Sequence, residues 1–130
     1  MSQAHNVSKS ALWAGRIMSG LALLPFIGGG IFSLVSNDPK MAEGFALYGW
    51  PAQLQAPIVC LELFCALLYL IPNTAVLGAI LLTGYLGGAI ATHVRIGEYN
   101  VAMQVILGVL IWGGLFLRIP SLRKLIPLRK

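Results

Sequence analysis

Two apolar runs separated by two residues decide the fold: LQAPIVCLELFCALLYLI (54–71), then Pro72-Asn73, then TAVLGAILLTGYLGGAIATHV (74–94). A helix needs roughly 17 to 25 apolar residues to cross the hydrocarbon core of a bilayer, and each run is that long. Only Glu62 interrupts the first, and Arg95 ends the second. Pro72 disfavours helix at the residue before it, so the break falls at Ile71. A two-residue link leaves one arrangement for the pair, an antiparallel helical hairpin.

Working outward, a run from Ala11 to Val35 encloses a single charge, Arg16, and a run from Val101 to Leu117 ends at Arg118-Ile119-Pro120. Four spans are therefore expected, at about 11–35, 54–71, 74–94 and 101–117. The first resembles a signal peptide in having Lys9 before an apolar stretch. It is about twice the length of a usual h-region, however, and ends in Ser36-Asn37-Asp38-Pro39 without a small-x-small cleavage site. A retained helix is expected. The predicted architecture is all-α: an up-down-up-down four-helix integral membrane bundle, one domain over residues 1–130 with a basic tail at 118–130.

Composition agrees. In 130 residues, 58% are hydrophobic and 10% charged, where soluble domains carry roughly a quarter charged residues. Mean hydropathy is +0.83. A soluble domain this small could not bury that much apolar surface, which excludes a soluble enzyme, a disordered chain and a disulfide-stapled secreted domain. Cys60 and Cys65 form neither a C-x-x-C pair nor a zinc pattern and are expected to be free, buried thiols about 140° apart on a helix. The net charge of +5 comes from residues at the chain ends, which points to a bilayer and not to nucleic acid.

Lysine and arginine distribution orients the bundle. Lys9, Arg16, Arg118, Arg123, Lys124, Arg129 and Lys130 flank one end, and Lys40 and Arg95 the other. Both termini are expected in the cytoplasm. The long connection at 36–53 opens with Asp38-Pro39, an N-cap followed by proline at the first helical position. Met41, Phe45 and Tyr48 then share one face, with Trp50 beyond, which predicts a short interfacial helix between spans one and two. It is expected to act as an anchor, with a lid over a cavity as the alternative.

The run Leu82-Thr-Gly-Tyr-Leu-Gly-Gly-Ala-Ile-Ala-Thr-His-Val-Arg95, with Ile71-Pro-Asn-Thr-Ala-Val-Leu-Gly-Ala79, Gly49-Trp-Pro51 and Glu62, resembles the DoxX-like family of small four-helix membrane proteins. The resemblance spans about residues 11–118. It implies a bacterial inner-membrane protein. The family label descends from a subunit of a thiosulfate:quinone oxidoreductase, and relatives in the wider group act as assembly factors or receptor chaperones. Fold transfers along such a resemblance better than function does.

Ionisable groups inside a span cost roughly 2.5 to 3.5 kcal/mol on insertion scales, so they mark candidate sites. Glu62 is the deepest, about 12 Å from one end of its span and 13.5 Å from the other. Cys65, Ala66 and Tyr69 continue its face, which should turn inward. Arg16 lies within vertical reach, so a Glu62–Arg16 ion pair with Tyr69 as an added donor is geometrically allowed. Such a pair serves either helix register or substrate and proton handling, and a snorkelling Arg16 is the third option. In span three, Gly84, Gly88, Thr92 and Arg95 share one face, with the glycines read as helix packing. Tyr85, Ala89 and His93 line another, and Glu98 is placed to compensate Arg95. The candidate catalytic residues are Glu62 and His93, and the candidate substrate-binding residues Arg16, Tyr69, Tyr85 and Arg95. His93 is the single histidine within a span and His5 lies near the terminus, so no metal site is expected and a bis-histidine haem would need a dimer. Gly28-Gly29-Gly30 follows Pro25 and suggests a kink or close packing.

Three functions fit. In the first, the bundle binds a lipophilic molecule such as a quinone, the one cofactor suggested, and serves a membrane oxidoreductase with a partner membrane protein or second copy. In the second, it is a membrane enzyme that isomerises, cyclises or opens an epoxide on an apolar substrate by acid–base chemistry. In the third, it is a non-catalytic assembly factor or scaffold. The bilayer is a partner in all three.

Overall fold

The computed structural model describes residues 7–36 and 39–129. Its helices are α1 (Lys9–Val35), α2 (Pro39–Leu47), α3 (Gln55–Leu70), α4 (Ala75–Arg95) and α5 (Ala102–Arg118). The four long helices fall within two residues of the expected spans at every end. Ser8 sets the start of α1, accepting a hydrogen bond from the Ala11 amide at 3.1 Å. A 3-10 turn at Pro72–Thr74 closes the α3–α4 hairpin, and the Thr74 hydroxyl donates to the Leu68 carbonyl at 2.7 Å. Asp38, expected as the cap of α2, lies outside the described residues, as does His5.

α1 packs on α3 and α5, and α4 packs on the same two helices, so the four form a closed ring. Glycine and serine bring α1 and α5 together. The inward stripe of α1 is Gly15, Ser19, Ala22, Leu23, Phe26 and Gly30. A Cβ on Gly15 would lie 2.7 Å from the Gly114 carbonyl oxygen and 2.6 Å from Arg118 Cγ, so only glycine admits this crossing. The core behind it is Leu82, Ile111, Leu115 and Tyr69, each at most 1% exposed. Pro25 lies within an uninterrupted α1, and of its neighbouring glycines only Gly30 is in close contact, against Leu63.

The outward faces carry Ile17, Leu21, Leu24, Leu61, Phe64, Leu67, Ile80, Ile106 and Val109, all more than half exposed. So much contiguous apolar surface is incompatible with water and suits acyl chains. Three helical stretches are long and apolar enough to cross a membrane, Lys9–Val35, Ala52–Leu70 and Pro72–Arg95. α5 is apolar over 17 residues, about 26 Å, the lower end of the spanning range. The chain is an all-α integral membrane bundle. Cys65 is buried as expected; Cys60 is exposed, the reverse of the expectation.

Candidate functional site

Both connections, α1–α3 and α4–α5, lie at one end of the bundle, and α2 there forms one wall of a cavity of about 520 Å³. Phe45, Tyr48 and Trp50 line it from the connection, Ile58 and Leu61 from α3, and Tyr85, Ala89 and His93 from α4. The connecting helix is therefore a wall over a cavity, which favours the lid alternative over a simple anchor. Phe45 and Tyr48 are only partly exposed because they turn toward α4.

Gly84 and Gly88 also line this space. A Cβ on either would meet nothing within 4 Å. The packing role expected for them is thus corrected: they leave room. The close helix approach on α4 is instead at Gly78, where a Cβ would lie 2.5 Å from Tyr69 Cα. Both glycine sets recur on the helix, and sequence spacing alone does not say which faces a neighbour.

Polar side chains gather at the mouth. Glu98 Oε2 accepts from the Tyr48 hydroxyl at 2.9 Å and lies 2.7 Å from His93 Nδ1. The Tyr48 and His93 rings meet edge to face at 4.7 Å. Arg95 donates to the Tyr48 carbonyl, and the adjacent Gly49 has φ +84°, a conformation that favours glycine. Together these bonds latch the end of α2 to the end of α4. Glu98 therefore pairs with His93 and not with Arg95 as expected; Arg95 donates to the Tyr48 backbone instead. The hydrogen bond from His93, then that from Tyr48, hold the Glu98 carboxyl below its ordinary range. Burial, then the Glu98 hydrogen bond, raises Tyr48.

At the deep wall, the Tyr85 hydroxyl donates to Glu62 Oε2 at 3.3 Å, and the Tyr85 ring meets Phe26 edge-on at 6.1 Å. Glu62 faces inward with Cys65, Ala66 and Tyr69, as its stripe predicted. It meets the cavity lining through Tyr85.

Arg16 and Tyr69 are elsewhere. No ion pair joins Arg16 to Glu62; among the described residues the salt bridge present is His93–Glu98. The expected pair fails on azimuth. Arg16 is one residue, about 100°, past the inward Gly15, so it is exposed and its guanidinium sits 5.3 Å over the Trp13 ring. The residue that sequence reasoning missed is Arg118. Its guanidinium donates to Ser19 Oγ at 3.0 Å and to the Gly114 carbonyl at 3.3 Å. Ser19 Oγ lies 2.7 Å from the Tyr69 hydroxyl, which donates to the Ile111 carbonyl at 2.7 Å. Arg16, Ser19, Tyr69 and Arg118 line a second, smaller cleft at the end where α1 begins and α5 ends. A span-ending arginine one turn from Gly114 was the available signal for Arg118. The six expected site residues thus divide: Glu62, Tyr85, His93 and Arg95 belong to the cavity or its latch, Arg16 and Tyr69 to the opposite end. Among the described residues no cluster of His, Cys, Asp and Glu could hold a metal ion.

Comparison with curated proteins and with solved structures gave no match. The sequence does match the DoxX-like family over residues 17–114, from Ile17 of α1 to Gly114 of α5. That match takes in α3 and α4 whole, most of α1 and α5, the cavity and the Tyr48–Glu98–His93 latch, and this chain belongs to the DoxX-like family.

Proposed function

We propose that this DoxX-like protein binds a lipophilic, carbonyl-bearing molecule of the quinone class in the cavity beneath α2, and through that binding serves a membrane oxidoreductase system. The observation that carries the reading is the cavity itself. Its volume of about 520 Å³ falls in the usual range for small-molecule sites, roughly 300 to 1,000 Å³. Its wall is apolar and aromatic, which suits a ring and prenyl chain that arrive through lipid, and its polar groups are confined to the two extremes. At the mouth, Glu98 favours the His93 tautomer with the proton on Nδ1, which leaves Nε2 free to accept a hydrogen bond from a ring hydroxyl. Trp50 and Phe45 offer faces for stacking. At the deep wall, the Tyr85 hydroxyl, supported by Glu62, is a donor for a carbonyl oxygen.

The localisation that accompanies this reading is a bacterial inner membrane with both termini cytoplasmic, which puts the cavity at the outer end. Electrons then reach the ring from a partner membrane protein or through the lipid pool.

Titration of the purified protein in detergent with a short-chain benzoquinone tests the reading, with Trp50 emission as the signal. Saturable quenching at one molecule per chain, absent in Trp50→Phe and in Gly88→Leu, is expected. Linear, unsaturable quenching that is the same in all three proteins refutes it. A second reading, acid–base rearrangement of an apolar substrate, draws on the Tyr85–Glu62 hydrogen bond. It predicts a rearranged product that disappears in Glu62→Gln while quinone binding does not occur.

A further inference from the structure

The cleft between α1, α3 and α5 at the terminal end is built differently from the cavity. It encloses about 230 Å³ and is lined by Arg16, Ser19, Gly20, Leu23, Tyr69, Leu70 and Arg118. Arg16 and Arg118 both line this one small space, and among the described residues neither has a carboxylate partner within ion-pair distance. Of the described acidic residues, Glu43 lies on α2 and Glu98 beyond α4, both at the opposite end, and Glu62 is occupied by Tyr85 at mid-bundle. Arg123, by contrast, is committed: its guanidinium donates to the Phe116 and Leu117 carbonyls and closes the end of α5.

Arg118 is held in place by its bonds to Ser19 and Gly114, with its charge over the Tyr69 ring at 6.0 Å. Those bonds use two of its five N–H donors, and the fork remains able to meet an oxyanion. Arg16 has its guanidinium over Trp13 and is exposed. Trp13 is 59% exposed, an aromatic at the level where headgroups meet acyl chains. Below the arginines the cleft turns apolar at Leu23 and Leu70, and Leu70 is 59% exposed on the outward face.

We propose that this cleft is a binding site for a phosphate oxyanion, clamped between Arg16 and Arg118, of the kind carried by an anionic phospholipid headgroup or by a free phosphate. The apolar lower wall favours the lipid source, with the glycerol and first methylenes against Leu23 and Leu70. Basic pockets between membrane helices take anionic headgroups on the same chemistry. Such a lipid would tie α1 to α5 at the end of the bundle that carries Arg16, Arg118, Arg123 and Lys124.

Native mass spectrometry of the delipidated protein, titrated with phosphatidylglycerol and separately with phosphatidylcholine, tests this, with inorganic phosphate as a competitor. One phosphatidylglycerol is expected to bind in preference to phosphatidylcholine. Arg16→Gln, which removes an exposed side chain and leaves the core intact, should weaken that binding about tenfold, the loss expected for one charge-assisted hydrogen bond. Lys124→Gln, which removes an equal charge at the same end but outside the cleft, should leave it unchanged. A thermal shift with inorganic phosphate in lipid-free detergent, lost in Arg16→Gln, supports the oxyanion site and assigns it to a soluble phosphate. Equal binding of the two lipids with no phosphate shift, or equal loss in Arg16→Gln and Lys124→Gln, overturns the proposal.

Discussion

Two glycines on α4, six residues apart, should respond to substitution in opposite ways. Gly84 borders the cavity, and a Cβ there has open space for 4 Å around it. Gly84→Leu therefore places its Cβ without a clash and directs the rest of the side chain to the cavity that Gly84 lines, and it removes a mid-helix glycine. Helix propensity alone should stabilise the protein by up to about 1 kcal/mol. Gly78 faces the α3 backbone, where a Cβ would lie 2.5 Å from Tyr69 Cα and 2.8 Å from the Leu68 carbonyl carbon. Neither contact is the end of a flexible side chain, so Gly78→Ala must push α3 and α4 apart. Overpacking of this kind costs about 1 to 3 kcal/mol. The displacement also falls on Tyr69, whose hydroxyl holds Ser19 and Ile111. Thermal unfolding in one detergent, followed by circular dichroism, should show Gly84→Leu at or slightly above the parent and Gly78→Ala several degrees below it. If the larger substitution at Gly84 destabilises as much as the smaller one at Gly78, the cavity and the packing face have been assigned the wrong way round.

Other consequences can be checked singly. Tyr69→Phe keeps the ring but removes the donor to the Ile111 carbonyl and the acceptor beside the Ser19 hydroxyl, and should lower stability by about 1 to 2 kcal/mol in the same assay; no change would mean the hydroxyl is not bonded in the membrane form. The Glu98 carboxyl, held low by His93 and Tyr48, favours the latched form above its ordinary range, and that contribution disappears as pH falls through its depressed value. Protease cleavage within α2 should accordingly rise only at acidic pH in the parent and be high at all pH values in Glu98→Ala; a flat profile in the parent would remove the latch. Reporter fusions at the C-terminus and in the α2 connection should place the first in the cytoplasm and the second outside, and the reverse result would overturn the orientation drawn from lysine and arginine.

The lengths of the helices were legible because hydropathy and punctuation determine them. Pro72 ended α3 where expected, Arg95 ended α4 and Arg118 α5. The rotation of each helix about its axis was not legible. In water an apolar stripe marks the buried face, but in lipid the outward face is apolar too, so Leu61 and Leu67 give the same signal outside that Leu82 and Leu86 give inside. Glu62 escaped this ambiguity because a carboxyl cannot face acyl chains. Arg16 did not, since a long side chain near a span end can leave sideways, and here it lies over Trp13. Its expected place beside Tyr69 is taken by Arg118, 49 positions further along the chain, a pairing that no local spacing encodes. The latch was half visible: His93 and Glu98 were both singled out, but Tyr48 was read only as part of an apolar face.

Native mass spectrometry of the protein purified in mild detergent, followed by organic extraction, reads out directly whether the cavity beneath α2 holds a ligand. The cavity beneath α2 predicts one apolar, ring-bearing ligand per chain, retained by the parent and missing from Gly88→Leu, whose new side chain occupies the same space. A parent and a variant that are both empty, or that carry the same ligand equally, would contradict it.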